Sequence, residues 1–327
     1  MAGLFGLFDF TKEGPGVDRD EATPPPVQHA FQIYFRKFWT LIACNLEYLL
    51  FSLPILVLAY FANSVLLAFL FPNFSVLSLS ERLQSLVSKV DEAQSLQQAS
   101  LIYLIFQILF TFFSVGLMFQ VFGPVHAGST LLFRNFSRED HAFLWMDFKD
   151  CLVDNFRQSL LVGLGSFVAH FVVLFAISFY AQQIHLAWLR AFCLVFLIFV
   201  FIYIAMMQFY IYPLLITFDL KLKQVVKNSA LFAILRLPQN LLLVLNTFLI
   251  FFVIPALFFY LLPFSIAPLL ALIWYLFFAF SLNFFVVNFY VQRQIKRFML
   301  DRIETSTAEE TSAVLRSESN SSTEEDH

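Results

Sequence analysis

Long apolar blocks dominate the pattern along this chain. A helix needs about 20 mostly apolar residues to cross a bilayer, and six segments meet that requirement: 39–61, 101–122, 160–181, 191–212, 241–262 and 265–287. The last two are separated only by Pro263 and Phe264, which predicts a tight helical hairpin. The expected architecture is all-α: an integral membrane bundle of six helices spanning 39–300.

The polar segments between these blocks carry their own helical signals. Pro24, Pro25 and Pro26 precede a stretch in which Phe31, Phe35 and Phe38 share one face, with Arg36, Lys37 and Trp39 beside them. Proline suits a first helical turn, and mixed aromatic and basic residues suit the membrane interface. Residues 1–38 are therefore expected to end in an interfacial or a solvated helix. The long loop after the first span contains Ser78-Leu79-Ser80-Glu81, a capping-box pattern that places a helix start at Ser78. Leu83, Leu86, Val87, Val90 and Ala93 follow at helical spacing and predict an amphipathic outside helix, either a surface element or a lid.

Two further loops resemble each other. One contains Gly123-Pro124 and Asp154-Asn155, the other Tyr212-Pro213 and Lys227-Asn228, so each begins with proline at an expected helix end and carries Asn before the next span. A weak internal repeat and chance similarity both account for this. Asp147, Asp150 and Asp154 fall on one helix face in the first loop, and Lys223 and Lys227 on one face in the second. Three readings stay open: the two faces pair with each other, they dock a partner, or they are simply solvated. Residues 301–327 are rich in Ser, Thr and Glu without apolar periodicity and are expected to be disordered.

Composition agrees with a membrane setting. Of 327 residues, 60% are hydrophobic and 13% charged, and 46 are Phe; a soluble domain carries roughly 25% charged residues. Loop charge supplies an orientation. With the N-terminus inside, 17 of the 20 Lys and Arg residues lie on cytoplasmic segments, and only Arg82, Lys89 and Arg190 lie outside. The expected topology has both termini in the cytoplasm, with amphipathic helices on both sides. The net charge of -3 gives no pointer to nucleic acid. Cys44, Cys151 and Cys193 are far apart and read as reduced, structural residues. Residues 1–10 lack the basic flank and apolar core of a cleavable signal peptide.

Candidate chemistry is sparse. The chain holds no P-loop, HExxH, GxSxG or GxGxxG motif, and its six histidines are scattered, so neither metal nor cofactor is implied. Glu47 is the one acidic residue in any expected span, and an intramembrane carboxylate is costly enough to be a functional candidate. Asn45 lies two residues away and His170 near the middle of the third span. Gln107, Gln208, Asn246 and Asn283 add neutral polar groups to other spans. These residues form either a polar pathway around Glu47 and His170 or structural hydrogen bonds between helices.

The stretches GLFGLFDFTKEGPGV, Phe35 to Trp39, Asn45, Leu53-Pro54 and FGPVHAGSTLLFRNFSREDHAFLWMDFKDCLVDNFRQSLLVG together resemble the YesL family of bacterial multi-pass membrane proteins, a domain of unknown function. The resemblance runs from about Gly3 to Arg297; the long outside loop and acidic tail depart from it. It implies a Gram-positive cell membrane and association with carbohydrate uptake by ABC transporters. It supplies no catalytic residue. A looser, fold-level analogy links Ile234-Leu235-Arg236-Leu237-Pro238 to the coupling helix of sugar permeases, although the preceding Glu-Ala-Ala pattern is absent. The leading expectation is a non-enzymatic accessory or regulatory component of oligosaccharide ABC uptake, with the bilayer and ABC transporter subunits as partners. The second is a transporter or permease-like subunit with a pathway around Glu47 and His170.

Overall fold

The structure is a computed structural model that describes residues 25–86, 92–263 and 265–301. The N-terminal Gly-Leu-Phe segment, Val87, Val90 and the acidic tail beyond residue 301 lie outside the described residues.

The described residues are helical throughout, in the order α1 (Pro26–Arg36), α2 (Phe38–Leu70), α3 (Val76–Leu86), α4 (Glu92–Phe119), α5 (Gly123–Ser137), α6 (Leu144–Asp154), α7 (Phe156–Gln183), α8 (Ala187–Thr217), α9 (Leu222–Leu235), α10 (Leu237–Phe248), α11 (Ile254–Leu261), α12 (Ala267–Trp274) and α13 (Phe280–Ile295). Short π-helical stretches join α10 to α11 (Leu249–Val253) and α12 to α13 (Tyr275–Ala279), and Lys296–Leu300 extends α13.

Six helices are long and apolar enough to cross a membrane: Phe38–Asn63, Glu92–Phe119, Phe156–Gln183, Ala187–Thr217, Leu237–Leu261 and Ala267–Leu300. Their outer surfaces carry exposed large apolar side chains such as Leu50, Phe61, Leu101, Phe192, Phe199 and Leu269. So wide an apolar surface is what lipid rather than water would solvate.

Several helices outrun the expected spans. The last runs 34 residues, about 51 Å at 1.5 Å per residue, well beyond a hydrocarbon core of about 30 Å. Its final turns pack instead against α5 and α8, where Val287, Val291 and Ile295 join Tyr210, Leu214, Val225 and Phe232 in one core. The fourth helix was expected to stop at Tyr212. It continues through Pro213 to Thr217. Proline inside a helix removes one hydrogen bond and costs about 3 kcal/mol or more; burial of every residue from Tyr210 to Leu215 offsets that cost.

The expected helix start at Ser78 is also displaced. α3 begins at Val76, and Ser75 takes the cap position: the Ser78 N–H donates to Ser75 Oγ at 3.2 Å and the Ser75 N–H to Ser78 Oγ at 3.0 Å. The reciprocal bonding of a capping box is thus made by a serine pair one turn earlier. α3 lies along α4, tied by the buried Ser80–Ser95 hydroxyl pair at 2.9 Å.

At the other end of the bundle α5 and α6 form a hairpin set between α2, α7, α8 and α13. The α5–α7 crossing is close because Gly123 and Gly163 face backbone directly: a Cβ on Gly123 would overlap the Ser159 carbonyl, and one on Gly163 the Gln120 carbonyl. α1 lies across this end. Ile33 is its buried anchor, packed with Leu132, Phe133 and Phe285, while Val27, Phe31 and Phe35 remain exposed. Arg36 pairs with Glu139 at 2.6 Å and Lys37 sits 4.7 Å over the Phe136 ring.

Candidate functional site

Where α5 enters the bundle, four helices and the α4–α5 junction line a half-open cavity of about 230 Å³. Gln120 comes from the α4–α5 junction, His126 and Thr130 from α5, His170 from α7, Gln208 and Tyr212 from α8, and Asn283 and Asn288 from α13. Phe209, Phe284, Ala205, Pro213 and Val287 complete the wall. Eight polar side chains thus face one space, and none of them is Asp, Glu, Lys or Arg.

Local structure fixes the state of several of these groups. His170 Nδ1 lies 3.0 Å from the Ser166 carbonyl one turn earlier. A carbonyl only accepts, so Nδ1 carries the proton and Nε2 is left as a lone pair. His126 Nε2 lies 3.0 Å from the Phe119 carbonyl, which by the same reasoning leaves Nδ1 as its lone pair. His126 stacks on Tyr212 at 5.2 Å and meets Tyr48 edge-on at 5.5 Å. This burial pushes its imidazole down to about 4, against the opposing pull of the Phe119 carbonyl, so the ring is neutral at pH 7. Part of its surface stays accessible because it lines the cavity.

Other wall groups keep unused hydrogen-bonding capacity. Asn288 Nδ2 donates to the Phe284 carbonyl at 2.9 Å, which orients its Oδ1 as the unpartnered atom. Gln120 Oε1 and the Tyr212 hydroxyl are likewise buried without a protein partner. Pro213 has no N–H to give the Phe209 carbonyl, so that acceptor loses its helical donor at the cavity wall. Gln208 Nε2 donates to Ser166 Oγ at 2.6 Å, tying α8 to α7 beside His170.

The sequence candidates separate on this geometry. His170 lines the cavity, 1% exposed, with Phe201 set edge-on at 4.8 Å. Glu47 does not line it: the carboxylate is half-buried on α2, and its Oε1 has no partner. Asn45 is hydrogen-bonded to the backbone of the last spanning helix. Its Nδ2 donates to the Tyr275 and Leu276 carbonyls at 2.9 and 2.7 Å, and its Oδ1 accepts from the Ser281 N–H at 2.8 Å.

In the loops, Asp147 Oδ2 accepts from the Phe143 N–H at 3.0 Å and so caps the start of α6. Asp150 and Asp154 on α6, and Lys223 and Lys227 on α9, are exposed. No ion pair joins these acidic residues to these lysines. Among the described residues no cluster of three His, Cys, Asp or Glu is placed to hold a metal.

Gln120, His126, Tyr212 and Asn288 escaped sequence reasoning. Each lies close to or beyond an expected span end, on a different element, and nothing in the periodicity joins them. The chain matches no known family, curated protein or solved structure.

Proposed function

We propose that this chain is a multi-pass protein of the cell membrane, with both termini cytoplasmic, that holds a small uncharged polar solute inside its bundle in the manner of a transporter or permease-like subunit. One observation carries the reading: eight polar side chains without a formal charge converge on a single cavity in a bundle whose surroundings are apolar. A buried charge without a counter-charge is expensive, so this wall favours neutral solutes over ions. Loop charge supports the orientation, with 17 of 20 basic residues on one side. The pathway is centred on His170 and does not include Glu47. Flux of uncharged small solutes into proteoliposomes tests it. The expected outcome is flux that falls at least tenfold in His170→Phe; wild-type flux in a folded variant would overturn it.

A second reading is favoured by a separate observation. Exposed Asp150, Asp154, Lys223 and Lys227 have no ion-pair partner among the described residues, and such faces are available to a partner. In this reading the chain is a non-enzymatic accessory component of carbohydrate ABC uptake, as the YesL resemblance implies. Purification from cells grown on polysaccharide would then recover ABC permease subunits, and Asp150→Lys would reduce that recovery. Unchanged recovery would remove the docking role.

A further inference from the structure

The chemistry of the cavity wall narrows what kind of solute fits. We infer that the cavity is a binding site for a neutral, hydroxyl-rich molecule no larger than a single sugar ring, such as a monosaccharide or a cyclic polyol. This rests on the proposed solute-binding reading and specifies its ligand.

Hydrogen-bonding capacity comes first. Two residues of the wall carry unpartnered acceptors, Gln120 Oε1 and Asn288 Oδ1. The second ring nitrogens of His126 and His170 are acceptors in the tautomers that their backbone bonds select, and Pro213 leaves the Phe209 carbonyl without its usual helical donor. Asn288 is 2% exposed and His170 1%, so these groups are built into the protein rather than displayed on its surface. The wall also retains a donor in the unpartnered Tyr212 hydroxyl. A ligand hydroxyl donates once and accepts twice, so a ring bearing several hydroxyls can meet both kinds of group. An ammonium ion only donates, a carboxylate only accepts, and each would bring an uncompensated charge.

Shape comes second. Phe209, Phe284, Ala205 and Val287 supply apolar wall beside the polar groups, which suits the C–H surface of a sugar ring. Size comes third. At about 230 Å³ the cavity is smaller than the roughly 300–1,000 Å³ of sites for drug-sized ligands. That volume suits one sugar ring.

The histidines contribute as neutral acceptors. Each is held in one tautomer by a backbone carbonyl, Phe119 for His126 and Ser166 for His170. The lone pairs are therefore presented without side-chain reorganisation on binding.

The test uses the full chain in lipid nanodiscs, titrated calorimetrically with glucose, xylose, myo-inositol, acetamide and methylammonium. Binding of at least one hydroxyl compound is expected, weakened tenfold or more by Asn288→Leu and by Gln120→Leu, with acetamide and methylammonium silent. Melting and gel-filtration profiles establish that each variant is folded; Gln120 is the less buried of the two, and its variant carries the test if Asn288→Leu does not fold. Binding of acetamide, lost in the same variants while sugars and polyols stay silent, would overturn the hydroxyl-rich ligand and leave the neutral-solute reading standing. Binding of methylammonium, or of nothing, would overturn both. Sugar binding that survives in folded variants would place the site elsewhere and overturn this assignment.

Discussion

Asn45 on α2 holds Ser281 at the start of α13 through a 2.8 Å hydrogen bond from the Ser281 N–H to its side-chain oxygen. The same side chain donates to the Tyr275 and Leu276 carbonyls. These three backbone groups lie in or beside the π-helical turn Tyr275–Ala279, where the regular ladder is interrupted. One amide thus ties α2 to the backbone at a change of helical pitch. Asn45→Ala is expected to destabilise the protein by about 2 kcal/mol, since the buried backbone groups lose their partners. Asn45→Asp keeps the shape but cannot donate to carbonyls when ionised, and should be at least as damaging. Thermal melting of both variants in detergent checks this.

The α5–α7 crossing makes a paired prediction. Gly123→Ala and Gly163→Ala each force a methyl into the backbone of a neighbouring element and should cost about 3 kcal/mol or more, because overpacking against backbone is not relieved by a rotamer change. Gly165 has nothing within 4 Å of its Cβ position. Gly165→Ala should leave stability unchanged or raise it by up to about 1 kcal/mol through helix propensity. Denaturation midpoints for the three variants separate close approach from a general intolerance of alanine in α7.

His126 supplies a pH dependence with a definite sign. Its folded imidazole titrates near 4, against an ordinary value of 6.5. Between these values the unfolded chain binds a proton that the folded chain excludes, so stability falls as pH drops from 6.5 towards 4. At 1.36 kcal/mol per pH unit the total is about 3 kcal/mol. The melting temperature should decline across this window, and His126→Gln should flatten the decline. An equally steep profile in that variant would assign the effect to other groups.

Glu47 is expected to behave as a burden rather than a working part. Its Oε1 is buried without a partner and it stands apart from the cavity. Replacing a poorly solvated carboxylate by an amide removes a desolvation cost. Glu47→Gln should therefore leave solute binding unchanged and leave stability equal or higher by about 1 kcal/mol, measured by calorimetric titration and melting on the same preparation.

By itself the sequence determined that the chain is helical and that six of its helices are long and apolar enough to cross a membrane, because lipid solvation demands runs of apolar residues that nothing else in a chain imitates. It also marked His170 as a polar residue in an apolar setting. It could not place helix ends where burial overrules a local signal: Pro213 reads as a stop, yet α8 passes through it because its neighbours are packed on all sides. Nor could it tell Asn45 from a working residue, since the carbonyls that Asn45 satisfies lie 230 and 231 positions away. The cavity was decided by tertiary structure alone. Gln120, His126, His170, Tyr212 and Asn288 become neighbours only when Gly123 and Gly163 let α5 and α7 cross at backbone contact, and hydrophobic periodicity, which reports one helix at a time, carries no record of that meeting.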